Sequence, residues 1–400
     1  MKNILIVSAV FSPEPVVSAQ ISHSLAETLS RKDHNVTVIA PYPSRPLGFN
    51  FDEFRDRPNK ISTFISRKQL TCFHLPSFVY ASSGILGRFR ESISFGIESY
   101  KFITSSKEKY DIVYMNTWPI FGQLGVTLAC IKKKIPYTIH IMDIYPESIT
   151  KRLPVPLKTL ANLLLMPIEK IIIRKAKRVI AISNKMKDHL VVSRKINSDK
   201  VSVVYNWQDE DNFNIVSRNE INQKKVFMYL GNIGPVAGIP FLIESFSKVN
   251  SKLIIAGSGS YKEYCVKFAQ KFPNADVEFV DVPAGKVSEV QAKADVMLLP
   301  ILKGYANTSI PSKLPAYMFS AKPVLVMADI HCDSASTVLS AKCGWAGEYG
   351  DTDWLVNKIN DITRIEEEDL NCLGFSGYNY AKIHFSKKHN LNNLETLILS

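Results

Sequence analysis

Short runs of consecutive apolar residues recur along this 400-residue chain, each closed by a turn and most followed by a segment of helical pattern. In the first half they are Ile4–Val7 within KNILIVSAV (residues 2–10), Val36–Ala40, Ile112–Met115, Tyr137–Ile141, Val179–Ser183 and Val201–Tyr205. In the second half they are Val226–Leu230, Leu253–Ala256, Val277–Val280, Val296–Leu299 and Val324–Met327. A strand that is apolar at every position, rather than at every second one, belongs in a parallel sheet covered by helices on both faces. The spacing predicts a doubly wound α/β fold with its ligand loops at the carboxyl edges of the strands. The series breaks once, at Asn206-Trp207-Gln208-Asp209. Two domains are therefore expected, 1–205 and 206–375, with a last helical stretch at 376–400.

Composition narrows the class. A hydrophobic fraction of 46% excludes a disordered chain. Six cysteines (Cys72, Cys130, Cys265, Cys332, Cys343, Cys372) form no CxxC pair and have no metal-ligand spacing. They read as buried thiols of a reducing compartment, the cytoplasm. The apolar start stops at Ser12-Pro13 without a cleavage pattern and reads as a strand, not a signal peptide. No run reaches the roughly 18 apolar residues of a membrane span. The net charge of +12 is uneven: residues 1–205 carry 30 Lys+Arg against 15 Asp+Glu, and the remainder carries 19 against 22. The first half is thus expected to meet something anionic.

Several stretches carry chemistry. GYANTSIPSKLPAYMFSAKPVLVM, from Gly304 to Met327, is a loop of small polar residues leading to a helix and a strand. Thr308, Ser309 or Ser312 is expected to cap that helix. Loop amides, the helix start and Lys313 then favour an anion, although an ordinary helix–strand connection uses the same residues. Gly231-Asn232-Ile233-Gly234 and Gly257-Ser258-Gly259 follow strands, but a lone G-x-G is weak and lacks an acid at dinucleotide spacing. Asp143-Ile144-Tyr145-Pro146-Glu147-Ser148 follows another strand. Its two carboxylates can orient a hydroxyl or take its proton, or simply be solvated acids of a turn. Residues 84–109 and 151–178 are basic and helical. The second sets Leu160, Leu163, Leu164, Ile168, Ile171 and Ile172 beside eight cations, a pattern that fits an anionic bilayer or a core-facing helix with a solvated back. Residues 42–60, polar and Pro-rich, read as a mobile flap.

In order and spacing, these segments resemble a glycosyltransferase of the GT-B fold. They are similar in particular to the retaining family 4 and its bacterial surface-polysaccharide (O-antigen) branch. The resemblance rests on Pro13-Glu14-Pro15, His34–Val38, Asp143–Ser148, Ala176–Ser183, Lys200–Asp209, Gly231–Gly234, Gly257–Gly259 and Ile310–Val324, and covers nearly the whole chain. It implies two Rossmann-like domains facing a cleft, with the C-terminal helix packing toward the first domain. The donor would be a nucleotide sugar, a UDP-sugar favoured, and a substrate rather than a cofactor; metal independence is implied. Donor-binding positions would be Gly231, Asn232, Gly234, Gly257, Gly259, Thr308, Ser309, Pro311, Ser312 and Lys313. Acceptor positions would be Pro13, Glu14, Val17, Ser18 and Asn206, with Asp143 and Glu147 catalytic. The acceptor implied is an undecaprenyl-diphosphate-linked glycan, reached by a protein peripheral on the inner face of the cytoplasmic membrane.

The chain also departs from the family. Two glutamates normally eight positions apart align with Thr308 and Ala316. The usual arginine and lysine after the first strand of the second domain align with Asn232 and Ala237. Met142 stands at the family's histidine position, and His140 reads as packing. Either Lys313 and loop hydroxyls serve the phosphates, or the sugar is a deoxy or N-acetylated one, or the chain is inactive. The rivals are a non-catalytic scaffold that binds glycan or a partner transferase, and a sugar-nucleotide 2-epimerase. The epimerase would need cleft carboxylates and histidines that are scarce here. A nucleic-acid binder would need aromatic platforms interleaved with the basic residues, and these are missing.

Overall fold

The computed structural model describes residues 1–14, 16–44, 70–80, 85–116, 120–150, 153–216, 224–283, 285–303 and 310–400. From position 45 onward the expected flap lies outside these residues, as do Pro15, Lys151, Arg152, Thr308 and Ser309. The chain divides into two compact units, Met1–Val204 with Leu391–Ser400, and Tyr205–Asn390.

The first unit is built on seven parallel strands: β1 (Asn3–Val7), β2 (Asn35–Pro41), β3 (Leu70–Leu75), β4 (Ile112–Asn116), β5 (Tyr137–Ile141), β6 (Arg178–Ala181) and β7 (Val201–Val203). Their order is β3-β2-β1-β4-β5-β6-β7. Ile4, Leu5 and Ile6 are all fully buried, so successive side chains on opposite faces of β1 are covered, as a two-sided parallel sheet requires. The second unit has β8 (Val226–Leu230), β9 (Lys252–Ala256), β10 (Asp276–Val280), β11 (Val296–Pro300), β12 (Val324–Met327) and β13 (Gly344–Gly347), in the order β10-β9-β8-β11-β12-β13. The doubly wound reading holds in both units. The edge strands β3 and β13 were not foreseen.

In each sheet the winding reverses beside the first strand, between β1 and β4 and between β8 and β11. Ligands of such sheets bind outside the carboxyl ends of the strands at that reversal. The loops concerned are those after Val7 and Asn116 in one unit, and after Leu230 and Pro300 in the other.

The helices Ile85–Ser105 and Ile120–Lys133 cross at contact distance because both lack side chains there: a Cβ on Gly125 would lie 2.2 Å from the Gly96 carbonyl oxygen. The expected single helix after 376 is instead two, Glu367–His384 and Lys387–Leu399. The break has a cause, since Ser386 forms a parallel bridge with Gln208, whose amide donates to Phe385 O and whose carbonyl accepts from Lys387 N. The end of the last helix belongs to the first unit. Lys32 pairs with Glu395 at 2.7 Å, and Lys177 Nζ donates to Ser400 O at 2.9 Å, a cation on the negative helix end.

Five cysteines are buried free thiols, but Cys372 is exposed, unlike the expectation for all six. Among the described residues no helix is long and apolar enough to cross a membrane. The helix Val155–Lys175 shows which apolar residues of that stretch face inward. Only Leu165, Glu169, Ile172 and Ile173 are buried, whereas Leu160, Leu163, Leu164 and Ile171 face outward, with Leu163 71% exposed.

Candidate active site

In the second unit, backbone approach dictates glycine. Gly231 leaves β8 at φ +154° and Gly257 leaves β9 at φ +131°. A Cβ on Gly257 would stand 2.2 Å from Gly231 O, and one on Gly259 2.3 Å from Ile233 O. The two turns therefore interlock. Gly231 N donates to Ala256 O (3.0 Å), Ile233 N to Ser258 O (2.8 Å) and Tyr261 N to Ile233 O (3.0 Å). The amides of Gly231 and Ile233 are thus spent within the frame, which narrows the expectation that this whole loop offers donors. Asn232 is exposed at its tip, and Gly234 is buried beside it.

Onto this frame the chain brings Lys313, first residue of the helix Lys313–Phe319. Its stem lies against bare Gly231, where a Cβ would come within 2.3 Å of Lys313 Cε. Its ammonium donates to Tyr229 Oη at 2.7 Å and sits 4.7 Å from the centre of that ring. Tyr229 Oη in turn donates to Asn232 O at 2.7 Å. Tyr317, one turn further along the helix, donates to Leu230 O (2.7 Å) and accepts from Leu230 N (3.1 Å), so the helix is pinned to the end of β8. No ion pair among the described residues involves Lys313. Burial without a partner charge brings its pKa down to about 8.

The capping expectation fails where it can be seen. Ser312 at the cap has helical dihedrals and no side-chain cap bond, while its carbonyl accepts from Gln208 Nε2 at 3.0 Å. Pro311 O receives the Leu314 amide at 3.0 Å. Asn206 lies in this same unit, with its Oδ1 buried and unpartnered among the described residues.

In the first unit, the segment after β5 separates its two carboxylates. Asp143 reaches solvent, yet its crowded surround raises its pKa above the ordinary aspartate value. Glu147 is engaged elsewhere: Arg194 Nη1 and Nη2 bind its two oxygens at 2.8 and 2.7 Å, and His189 Nε2 lies at 3.2 Å. Arg194, fully buried, also donates through Nε to Glu169 and through Nη2 to Tyr145 O (2.7 Å). Two acids thus share one cation. Burial drives Glu169 up to about 7, and the bidentate bonds from Arg194 outweigh burial at Glu147, whose pKa falls.

Near β1, Glu14 is 4% exposed and accepts from Ser44 N (2.9 Å) and Phe11 N (3.3 Å); burial pushes it to about 7. It staples its own loop rather than standing open in it. Pro13 is exposed, Val17 begins the helix Val17–Arg31, and Ser18 O accepts from Asn116 Nδ2 at 3.0 Å. His140 is wholly buried against Tyr114 Oη at 2.7 Å, and burial holds it neutral with a pKa near 3, as its packing role implies.

Residues 19–212 match the family described as Glycosyltransferase Family 4, and residues 211–373 match Glycosyl transferases group 1. The chain belongs to glycosyltransferase family 4. Similar relatives include the probable glycosyltransferase WbjE of Pseudomonas aeruginosa, 24% identical over 68% of this chain and 70% of the relative. Another is the putative colanic acid biosynthesis glycosyl transferase WcaI of Escherichia coli K12, 22% identical over 83% and 84%. Two solved structures share the GT-B fold across nearly their full lengths. Sucrose-phosphate synthase from Thermosynechococcus elongatus has a TM-score of 0.70 at 15% identity, covering 99% of this chain and 98% of that one. Anabaena HepE, crystallised with UDP and glucose, has a TM-score of 0.65 at 16% identity and 99% coverage of both chains.

Ala316, where the resemblance implies a family acid, lies on the same helix as Lys313; Thr308 lies outside the described residues. Sequence reasoning missed Tyr229, Tyr317 and Arg194. Tyr229 sits inside an apolar strand, where only its hydroxyl at the carboxyl end hints at a polar task. Removing Arg194 tests the first unit's network. Arg194→Met is expected to lower unfolding stability by about 3–5 kcal/mol, because Glu147 and Glu169 lose their shared cation. A urea midpoint equal to wild type would show that the network holds nothing in place.

Proposed function

We propose that this glycosyltransferase moves a sugar from a nucleoside-diphosphate donor to a lipid-linked glycan in bacterial surface-polysaccharide synthesis, with retained anomeric configuration. One observation carries the reading: Lys313 is a cation largely withdrawn from water, seated on a glycine frame at the sheet's reversal, without a carboxylate partner among the described ion pairs. A cation so placed is compensated by an anionic ligand, and a diphosphate at a strand's carboxyl edge is the chemistry that fits.

As the bond from the anomeric carbon to the β-phosphate oxygen breaks, negative charge grows on the leaving diphosphate. Lys313, with the loop amides at Asn232 and Gly234, stabilises that charge. Pro311, Ser312, Gly257 and Gly259 shape the frame, and Thr308 and Ser309 are proposed to add hydroxyls to it. The departing oxygen takes the proton of the incoming hydroxyl on the same face of the sugar, so configuration is retained. Asp143 orients that hydroxyl by accepting its hydrogen bond until the proton passes to the departing oxygen. Glu147 holds the Asp143 segment through Arg194 rather than touching substrate.

Anabaena HepE, solved with UDP and glucose, supports UDP as the nucleotide. An apolar Ala316 where a carboxylate is usual favours a deoxy or N-acetylated sugar, so the transfer is hexosyl or N-acetylhexosaminyl. The similarity to WcaI, a putative colanic acid biosynthesis glycosyl transferase, supports a polysaccharide acceptor, here an undecaprenyl-diphosphate-linked glycan. Membrane contact is supported by the outward Val155, Leu157, Leu160, Leu163 and Leu164 beside Lys158, with Leu86 also outward on the other basic helix, Ile85–Ser105. In this reading, apolar insertion and basic attraction together hold the protein on the inner face of the cytoplasmic membrane.

In assays with a panel of UDP- and GDP-sugars, Lys313→Met is expected to raise the donor KM about ten-fold or more. Asp143→Asn is expected to lower kcat about 10²-fold or more with donor KM unchanged. Wild-type constants in either variant would remove that residue from the mechanism, and no turnover of any donor by the wild type would favour the scaffold reading. For the membrane, co-sedimentation with phosphatidylglycerol vesicles is expected, and Leu163→Glu with Leu164→Glu is expected to abolish most of it. Binding indifferent to both anionic lipid and these changes would contradict the contact.

A further inference from the structure

We propose that Tyr229 is a positioning residue, whose hydroxyl aims the Lys313 ammonium at the donor diphosphate while anchoring the loop that offers amides to the same group. The inference rests on the donor reading above.

The hydrogen bonds around this hydroxyl run in one direction. Its single proton goes to Asn232 O at 2.7 Å, so toward Lys313 Nζ, also at 2.7 Å, it can only accept. One of the three ammonium protons is thereby fixed and the other two have defined directions. The aromatic face, 4.7 Å from Nζ, stabilises the charge without neutralising it, as a carboxylate would. The stem cannot escape sideways, because it occupies the space that a side chain on Gly231 would fill. A lysine is ordinarily a mobile point charge on a flexible stem; here three contacts from β8 and its turn remove that freedom before any ligand arrives. A prepositioned donor loses less entropy on binding and stabilises developing charge without reorganisation.

The groups facing Lys313 keep one protonation state while it titrates. Tyr229 on β8 and Tyr317 on its own helix are both pushed upward by burial and stay neutral. Deprotonation of Lys313, with its pKa near 8, therefore dominates the alkaline range. Donor affinity is full below that value and is lost as pH rises through it. Deleting the Tyr229 hydroxyl removes an acceptor that favours the charged amine, so the same loss begins at lower pH.

The experiment is calorimetric titration of UDP into wild type, Tyr229→Phe and Lys313→Met from pH 7 to 9.5, above the ionisation of a terminal phosphate at about 6. Wild-type affinity is expected to fall through about pH 8. Tyr229→Phe should bind UDP about three- to ten-fold more weakly at pH 7, with the fall displaced to lower pH. Lys313→Met should bind weakly, with little dependence on pH. A hydroxyl that only braces the loop would weaken binding without moving the fall. An unmoved fall in Tyr229→Phe, with Lys313→Met weak and flat, therefore overturns the inference alone. Wild-type binding and pH dependence in Lys313→Met would instead overturn the donor reading on which it rests. Should Tyr229→Phe unfold at these temperatures, Gly231→Ala displaces the lysine stem with Tyr229 intact. That variant is expected to weaken UDP binding at pH 7, and wild-type affinity in it overturns the inference.

Discussion

A lysine ammonium held over a bare glycine, facing a neutral phenol instead of an acid, is the interaction on which the proposed donor site depends. Had a glutamate paired with Lys313, the site would be neutral and indifferent to phosphate. The surrounding structure is consistent with keeping that charge unspent. Gly231 and Gly257 let the turns after β8 and β9 interlock closely enough to form a floor. Tyr317 fixes the helix that carries the lysine, and Tyr229 fixes the lysine itself. Each element is set by the winding of the sheet, since the turn after β8 and the chain returning from β11 meet where the strand order reverses.

The first unit uses charge in the opposite way. Arg194 is buried and fully engaged, tying Glu147, Glu169 and the Tyr145 carbonyl into one network that holds the segment bearing Asp143. Within six residues of sequence, one carboxylate is structural and the other is left to reach solvent under a raised pKa. The same unit turns a row of leucines outward along the start of the helix Val155–Lys175. That arrangement has a physical cost in water unless something apolar covers it, and the membrane contact proposed above would supply that cover.

Much of this was legible in the chain. Strands buried on both faces announce themselves as unbroken apolar runs, and the doubly wound class followed from them. The edge strands did not: β3 mixes His74 and Thr71 into its run, and β13 reads Gly-Trp-Ala-Gly, so neither carries the apolar signature. The glycine turns and Lys313 were visible because their residue types are unusual at strand ends. Tyr229 was hidden within an apolar strand, and the pairing of Glu147 with Arg194 spans 47 residues that no local pattern connects. The capping expectation at Ser312 failed because helical dihedrals leave its hydroxyl without the geometry of a cap. Which way the leucines of the helix Val155–Lys175 turn was left open between core and bilayer, since periodicity gives a face but not what covers it.

The central claim is that Lys313 and its glycine frame receive the diphosphate of the donor. A crystal structure of the wild-type chain soaked with UDP tests it most directly. The expected result is a phosphate oxygen within about 3 Å of Lys313 Nζ, with the Tyr229 contact retained. UDP bound away from Lys313, or no bound UDP at saturating concentration, would contradict the account.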